Sequence, residues 1–257
     1  MNKAIALVFG VLSYLVFFGT FLYAIGFVGN IAVPKSIDSG AEAPAITALV
    51  INLVLLTIFA LQHSVMARPG FKRVWTKVVP KVVERSVYVL LASSALILLF
   101  WQWRPMTGVI WDVENSFGRI ALLGTFAAGW LIVLLSTFMI NHFDLFGLRQ
   151  VYLYSKSIEP AEMDFKTRFF YNFVRHPIML GFIIAFWATP TMTVGHLLFA
   201  AVTTAYILVA IQFEERDLVN AHGETYKAYK REVGMLIPTS IRAGGQATAS
   251  SHEVAGS

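Results

Sequence analysis

Cysteine is absent from all 257 residues, which excludes disulfides, cysteine-ligated zinc, iron–sulfur clusters and a cysteine nucleophile. Charge is the next scarcity. Asp, Glu, Lys and Arg together make up 14% of the chain, against about 25% in ordinary soluble domains. With 57% hydrophobic residues, that shortage excludes a soluble globule and a disordered chain. The composition describes an integral membrane protein with one membrane-embedded domain. What charge there is leans positive, 20 Lys and Arg against 15 Asp and Glu. This balance suits a face held against an anionic lipid bilayer, and no nucleic-acid partner is expected.

A helix needs about 20 apolar residues to cross the hydrocarbon layer. Four stretches reach that length, at roughly 4–29, 46–66, 86–103 and 118–141. The first, Ala4 to Val28, is too long for a signal-peptide core and reads as a retained helix. A fifth region, 178–213, is apolar throughout but interrupted at Ala188-Thr189-Pro190-Thr191 and again near Gly195. Proline removes a helical hydrogen bond, so this region is expected to form a helical hairpin with a short first arm. The fold class is therefore an all-α integral membrane protein, with four transmembrane helices plus a carboxyl-terminal hairpin. Residues 1–242 form the domain, and the Gly/Ala/Ser-rich stretch 243–257 is expected to be a disordered tail. Segment 67–85 carries Arg68, Lys72, Arg73, Lys77, Lys81 and Arg85 against Glu84. Loops 30–45 and 104–117 have Lys35 and Arg104 as their basic residues. The positive-inside rule then puts the amino terminus, 67–85, 142–176 and the tail in the cytoplasm.

Polar groups at membrane depth are costly and mark candidate sites. In this topology Gln62-His63-Ser64, Asn141-His142 with Asp144, Arg175-His176-Pro177 and Glu214-Glu215 arrive at one membrane face. Each also has a plain reading. A histidine at a helix end serves equally as an interfacial residue, Asp144 as a local cap, Pro177 as a favoured first helical residue, and an isolated Glu-Glu pair as a solvated helix end. The hairpin makes neighbours of its Arg-His-Pro entrance and its Glu-Glu exit. An arginine, a histidine, a helix amino terminus and two carboxylates then bound one volume. The helix start suits a carboxylate or phosphate, and the carboxylates suit an ammonium, a ribose diol or a sulfonium. A zwitterionic cofactor with ribose hydroxyls needs both.

The run Phe170-Tyr171-Asn172-Phe173-Val174-Arg175-His176-Pro177-Ile178-Met179-Leu180-Gly181 resembles the entry motif of the isoprenylcysteine carboxyl methyltransferase-like membrane methyltransferases. Glu214-Glu215, then Gly223-Glu224, Tyr226, Tyr229 and Pro238, resemble that superfamily's tail in order and spacing. Met179 departs from the pattern, standing where the superfamily usually has tyrosine. Three further segments, Gln62 to Arg68, Phe100 to Pro105 and Asn141 to Gln150, are similar to the bacterial methanethiol S-methyltransferases, a family that also resembles the NnrU proteins. The resemblance implies methylation of methanethiol to dimethyl sulfide with S-adenosyl-L-methionine as cofactor, in the bacterial inner membrane with the site facing the cytoplasm, and no metal. It also implies that the cofactor-binding part is about 142–240. There Arg175, His176, Pro177, Leu180 and Gly181 would bind the methionine part or the ribose. Glu214 and Glu215 would hold the ribose or ammonium, or orient Arg175, while Tyr226, Tyr229 and Arg231 close over the adenosine.

Thiol methylation needs a proton acceptor, because the thiolate is the nucleophile. His142, oriented by Asp144, is the first candidate and His63 the second, with entry of a ready-made thiolate from solution as the alternative. Phe138, Met139, Phe143, Phe146 and Trp101 are candidates for the acceptor pocket. Two competing readings stand beside this one. The acceptor could be a prenylcysteine or a phospholipid, or the chain could be an NnrU-like haem-binding electron-transfer protein using His63 and His142 as axial ligands.

Overall fold

The computed structural model describes residues 1–159 and 169–238, so the expected tail at 243–257 lies outside the described residues. Among the described residues, five helices are long and apolar enough to cross a membrane. They are α1 (Lys3–Gly29), α2 (Ala45–Ala67), α4 (Lys81–Gln102), α5 (Ser116–Ile140) and α9 (Val194–Glu232), with the short α3 (Pro69–Trp75) between α2 and α4. After α5 come α6 (His142–Leu145), α7 (Leu148–Ser155), a 3₁₀ turn at Phe169–Asn172 and α8 (Pro177–Trp187). The ends follow local chemistry. The Asn2 side chain accepts from Ala4 N–H to start α1, Asn115 accepts from Gly118 N–H to start α5, and Asn30 ends α1 in the left-handed conformation. Ile46, Phe117 and Ile120 are largely exposed, as an apolar surface turned toward lipid must be.

The interruption at 188–193 is a turn plus a short strand. Strand β2 (Thr191–Thr193) pairs antiparallel with β1 (Val109–Asp112), Val109 opposite Thr193 and Asp112 opposite Thr191. A purely helical reading missed this ribbon, whose strands are too short to show alternation. The hairpin's second arm also overruns its expected end. Helix α9 continues past Glu214 to Glu232 instead of stopping at 213. Helix α4 starts at Lys81, ahead of the apolar run that begins at 86, because its first turns carry the charged Lys81, Glu84 and Arg85.

The main core lies toward the end that holds this ribbon. Phe27, Leu99, Trp103, Trp130, Phe186 and Phe199 pack there, with Trp103 Nε1–H donating to Ile37 O at 3.0 Å. Asn52, fully buried, fastens the end of α4 by bonding both the N–H and the carbonyl of Arg104. At the opposite end Tyr154 O–H donates to Met1 O, Arg85 Nε to Leu145 O and Arg68 NH1 to Asp217 Oδ2. The start of α1, segment 68–85, helices α6 and α7 and the end of α9 therefore gather on one side, as the charge pattern requires.

Helix α8 has 11 residues, which at 1.5 Å per residue covers about half of a 30 Å hydrocarbon layer. It packs antiparallel along α5 through paired glycines. A methyl at Gly181 would sit 2.7 Å from Gly129 O, and one at Gly129 would sit 2.7 Å from Ala185 N. Backbone meets backbone, so neither neighbour can rotate away. Gly181→Ala is expected to cost about 1–3 kcal/mol by overpacking, read as a lower thermal midpoint of the purified protein. An unchanged midpoint would mean that the two helices can separate freely.

Candidate active site

The crossing of α5 with α8 sets the geometry. From Gly129 and Val133 against Gly181, one further turn brings Thr137 level with Pro177 at the start of α8. His176, the residue before α8, makes no side-chain cap, so the first free N–H groups of α8 are left for another partner.

The Arg-His-Pro entrance and the Glu-Glu pair do meet. Glu215 is buried, its Oε1 taking Arg175 Nε at 2.7 Å and His176 Nε2 at 3.2 Å, and its Oε2 taking Lys230 Nζ at 2.7 Å. The Arg175 guanidinium also donates to Val233 O and Lys230 O. Main-chain bonds from Arg175 N–H to Gly234 O and from His176 N–H to Met235 O lay the end of the chain beside this entrance. The arginine is thus occupied by the frame, and Glu215 orients it. Glu214 differs. Its side chain is 44% exposed, with Oε2 at 3.8 Å from His176 Nδ1. Burial, then the Glu214 carboxylate and Tyr229, push the Tyr171 phenol's pKa up, so Tyr171 stays a protonated donor.

Helix α9 presents Tyr206 and Asp217 to the end of α2. Ser64 lies 3.0 Å from the Tyr206 hydroxyl, and Arg68 is ion-paired to Asp217 at 2.8 Å. His63, next to Ser64, stacks on Phe59 and has the Tyr88 hydroxyl 3.0 Å from Nδ1. His142 stands on the α5 side, buried, with its ring stacked on Phe138 at 4.2 Å. The Thr137 hydroxyl donates to Leu134 O at 2.6 Å, so it accepts from His142 Nδ1–H at 2.8 Å. That fixes the tautomer and leaves Nε2 as an acceptor for the Tyr14 hydroxyl at 2.9 Å. Burial lowers the His142 pKa, which keeps the ring neutral.

Several expected partners are replaced. Asp144 does not orient His142, because its carboxylate takes Arg149 at 3.3 Å and Gln150 at 3.2 Å. Thr137 and Tyr14 do that work instead. Gly181 serves the helix crossing, and Leu180 is half-buried one turn into α8. Tyr226 and Tyr229 are buried against Val233, and the Tyr229 hydroxyl donates to Tyr171 O at 2.6 Å. They clasp the 3₁₀ turn, while Arg231 faces solvent. Trp101 sits at the far end of α4 and is 68% exposed, so it lines no pocket at this end. The axial-ligand reading also weakens, since hydroxyls engage both ring nitrogens of His142 and the edge of His63.

Tyr14, Tyr88, Tyr206 and Thr137 were missed by the sequence reading. The usable signal was a hydroxyl inside an otherwise apolar helix facing a histidine on another, which only tertiary pairing reveals. The site's last hinge was half visible. Gly223 has φ 54° and ψ −127° inside α9, a region that other residues occupy at a cost of about 1–3 kcal/mol. A methyl there would touch nothing within 4 Å, so Gly223→Ala isolates backbone strain. It should misplace Tyr226 and Tyr229 and weaken ligand binding, with only a small change in helix content by circular dichroism.

The NnrU protein family model matches residues 51–231. A methanethiol S-methyltransferase of Mycobacterium tuberculosis is 60% identical over 238 residues, covering 93% of this chain and 98% of that protein. The chain belongs to the methanethiol S-methyltransferase family. A second member of this family, from Crocosphaera subtropica, is 56% identical and covers 93% of each chain. Another, from Bradyrhizobium diazoefficiens, is 56% identical over 92% of this chain and 83% of its own length. The family's match begins at α2 and ends at the last turn of α9, so it spans both histidines, the Arg-His-Pro entrance and the Glu-Glu pair. No solved structure matches.

Proposed function

We propose that this chain methylates methanethiol to dimethyl sulfide with S-adenosyl-L-methionine, in the bacterial inner membrane and with its site on the cytoplasmic side. The observation that carries the reading is the half-exposed Glu214 beside His176 at the uncapped start of α8. A free helix amino terminus and an unshared carboxylate fit the two opposite charges of an amino acid. The Ile178 and Met179 N–H groups would hold its carboxylate, Glu214 its ammonium or the ribose, and Tyr171 a further oxygen. Bound there, the cofactor supplies a sulfonium methyl that an acceptor sulfur attacks in line.

The protein's own share is position and proton. Arg175, Glu215 and Lys230 lock the entrance to α8 against α9 and the chain end, which fixes the donor side. Phe138, Phe143 and Phe146 surround His142 with aromatic rings that favour a small thiol by sulfur–aromatic contact. His142 Nε2 accepts the thiol proton, directly or through the Tyr14 hydroxyl, and Nδ1–H on Thr137 keeps that nitrogen basic. His63 with Tyr88 is the second candidate, on the wall shared with Tyr206. Orientation follows from the basic end, which holds 67–85 on the cytoplasmic side.

Purified protein in detergent, given S-adenosylmethionine and methanethiol, is expected to release dimethyl sulfide and S-adenosylhomocysteine in equal amounts. His176→Ala should abolish both, and Glu214→Ala should lower both together by weakening cofactor binding. Cofactor binding without dimethyl sulfide would move the acceptor to a lipid or a larger thiol. No cofactor binding would overturn the reading.

A further inference from the structure

A second polar site opens at the same end, bordering Asp144, Gln150 and Arg85 but built mainly from groups not used above. One pocket of about 280 Å³ has Lys72, Lys81, Glu84 and Arg85 on one side and Ile140, Asn141, Asp144, Leu145 and Gln150 on the other, with the Asp144 carboxylate already taken by Arg149 and Gln150. A wider one of about 650 Å³ shares Lys72, Lys81 and Glu84 and extends over Arg73 and Lys77. The charges here are unusually idle. Among the described residues, Lys72, Arg73, Lys77 and Lys81 make no side-chain ion pair, whereas Arg68 and Arg149 nearby are each matched to an aspartate. Glu84 Oε1 and Gln150 Oε1 are buried in this region without a hydrogen-bond partner. Burial, Arg85 and Arg68 hold the Lys72 pKa below its ordinary value, with Glu84 and Asp217 opposing. Unmatched cations ask for an anion, and unmatched acceptors in the same walls ask for a hydroxyl or N–H donor.

Depth then chooses the source. Ile140 is the last residue of the membrane-crossing α5 and lines the pocket. Val74 and Val78 are exposed around this end of the molecule. The pocket therefore lies where the apolar layer gives way to head groups, with aliphatic surface beside it for an acyl chain. We propose that the two adjoining pockets together seat a phosphatidylglycerol-type phospholipid, its phosphodiester held by Lys72, Lys77 and Lys81 and a head-group hydroxyl donated to Glu84. A surface-adsorbed anionic lipid would need the lysines alone. The orphaned carboxylate oxygen inside the same walls is what points to a specific head group.

The test is competitive lipid retention, read by native mass spectrometry of the full chain taken from bilayers of equal phosphatidylglycerol and phosphatidylcholine. Phosphatidylglycerol should be kept preferentially, and the double variant Lys77→Glu, Lys81→Glu should reduce its occupancy about tenfold or more. Glu84→Gln should retain phosphodiester binding but lose the preference for phosphatidylglycerol over phosphatidylmethanol, which lacks the hydroxyl. Unchanged helix content and S-adenosylmethionine binding would show that the variants are folded. Equal retention of the two bilayer lipids, or indifference to the charge reversals, would overturn the proposal. So would full displacement by millimolar inorganic phosphate, which would make this a free-phosphate pocket.

Discussion

Glu215→Ala is expected to remove cofactor binding and to destabilise the folded protein by about 3–5 kcal/mol, the usual cost of breaking a buried charge cluster by deleting one member. The argument is one of what is left behind. Glu215 receives Arg175, His176 and Lys230 on two oxygens, and its side chain is 5% exposed against 9% for Arg175. Without it, the Arg175 guanidinium keeps only carbonyl oxygens, and the entrance to α8 loses its tie to α9. Glu215→Gln should recover part of the stability, because an amide oxygen can still accept from Arg175. The neighbouring Glu214→Ala provides the contrast. That side chain is half-exposed with one loose partner at 3.8 Å, so its loss should weaken binding while leaving the thermal midpoint nearly unchanged. Titration calorimetry and thermal unfolding on the same three variants separate the two roles. Equal loss of stability in Glu214→Ala and Glu215→Ala would refute the division into ligand carboxylate and frame carboxylate.

Long apolar runs and loop charge are local properties, and from them the all-helical membrane class and the gathering of His63, His142, His176 and Glu215 at one end were legible. The pairing inside that gathering was not. Asp144 stands two residues from His142, and proximity in sequence suggested that the two pair. In the structure the α6 turn directs Asp144 to Arg149 and Gln150, while His142 reaches Thr137 and Tyr14. Helix α1, where Tyr14 lies, has no other feature that marks it as part of a site. The packing of Gly181 on Gly129 was hidden for a similar reason, since the motif marks Gly181 for the cofactor and says nothing of the close approach of α5. The β1–β2 ribbon and the extension of α9 escaped because three- and four-residue strands have no readable period, and a solvated helix continues without any hydrophobic signal.

His142→Gln should lower turnover by about 10²–10⁴, the range for loss of a general base, and the shape of the pH profile carries more than the size of the drop. Burial sets the His142 pKa below its ordinary value of 6.5, so the ring is the free base throughout the neutral range. Turnover of the wild-type protein should therefore rise with pH only below the ordinary histidine range and be flat from neutral pH upward. A thiol without help ionises at a pKa of about 8.5 or higher. The variant's residual rate should then climb about tenfold per pH unit toward that value. The same shift has a stability consequence. A buried histidine with a depressed pKa binds its proton more readily when unfolded, so the folded state loses stability as pH falls through the ordinary histidine range toward the depressed value. Tyr14→Phe tests the connection to Nε2, because it removes the hydroxyl but leaves the ring edge-on to Phe146. If proton transfer runs through that hydroxyl, Tyr14→Phe reproduces the steep profile of His142→Gln. If His142 meets the thiol directly, Tyr14→Phe stays flat and only His142→Gln is steep. A flat profile in His142→Gln itself would pass the base to His63 and its Tyr88 partner.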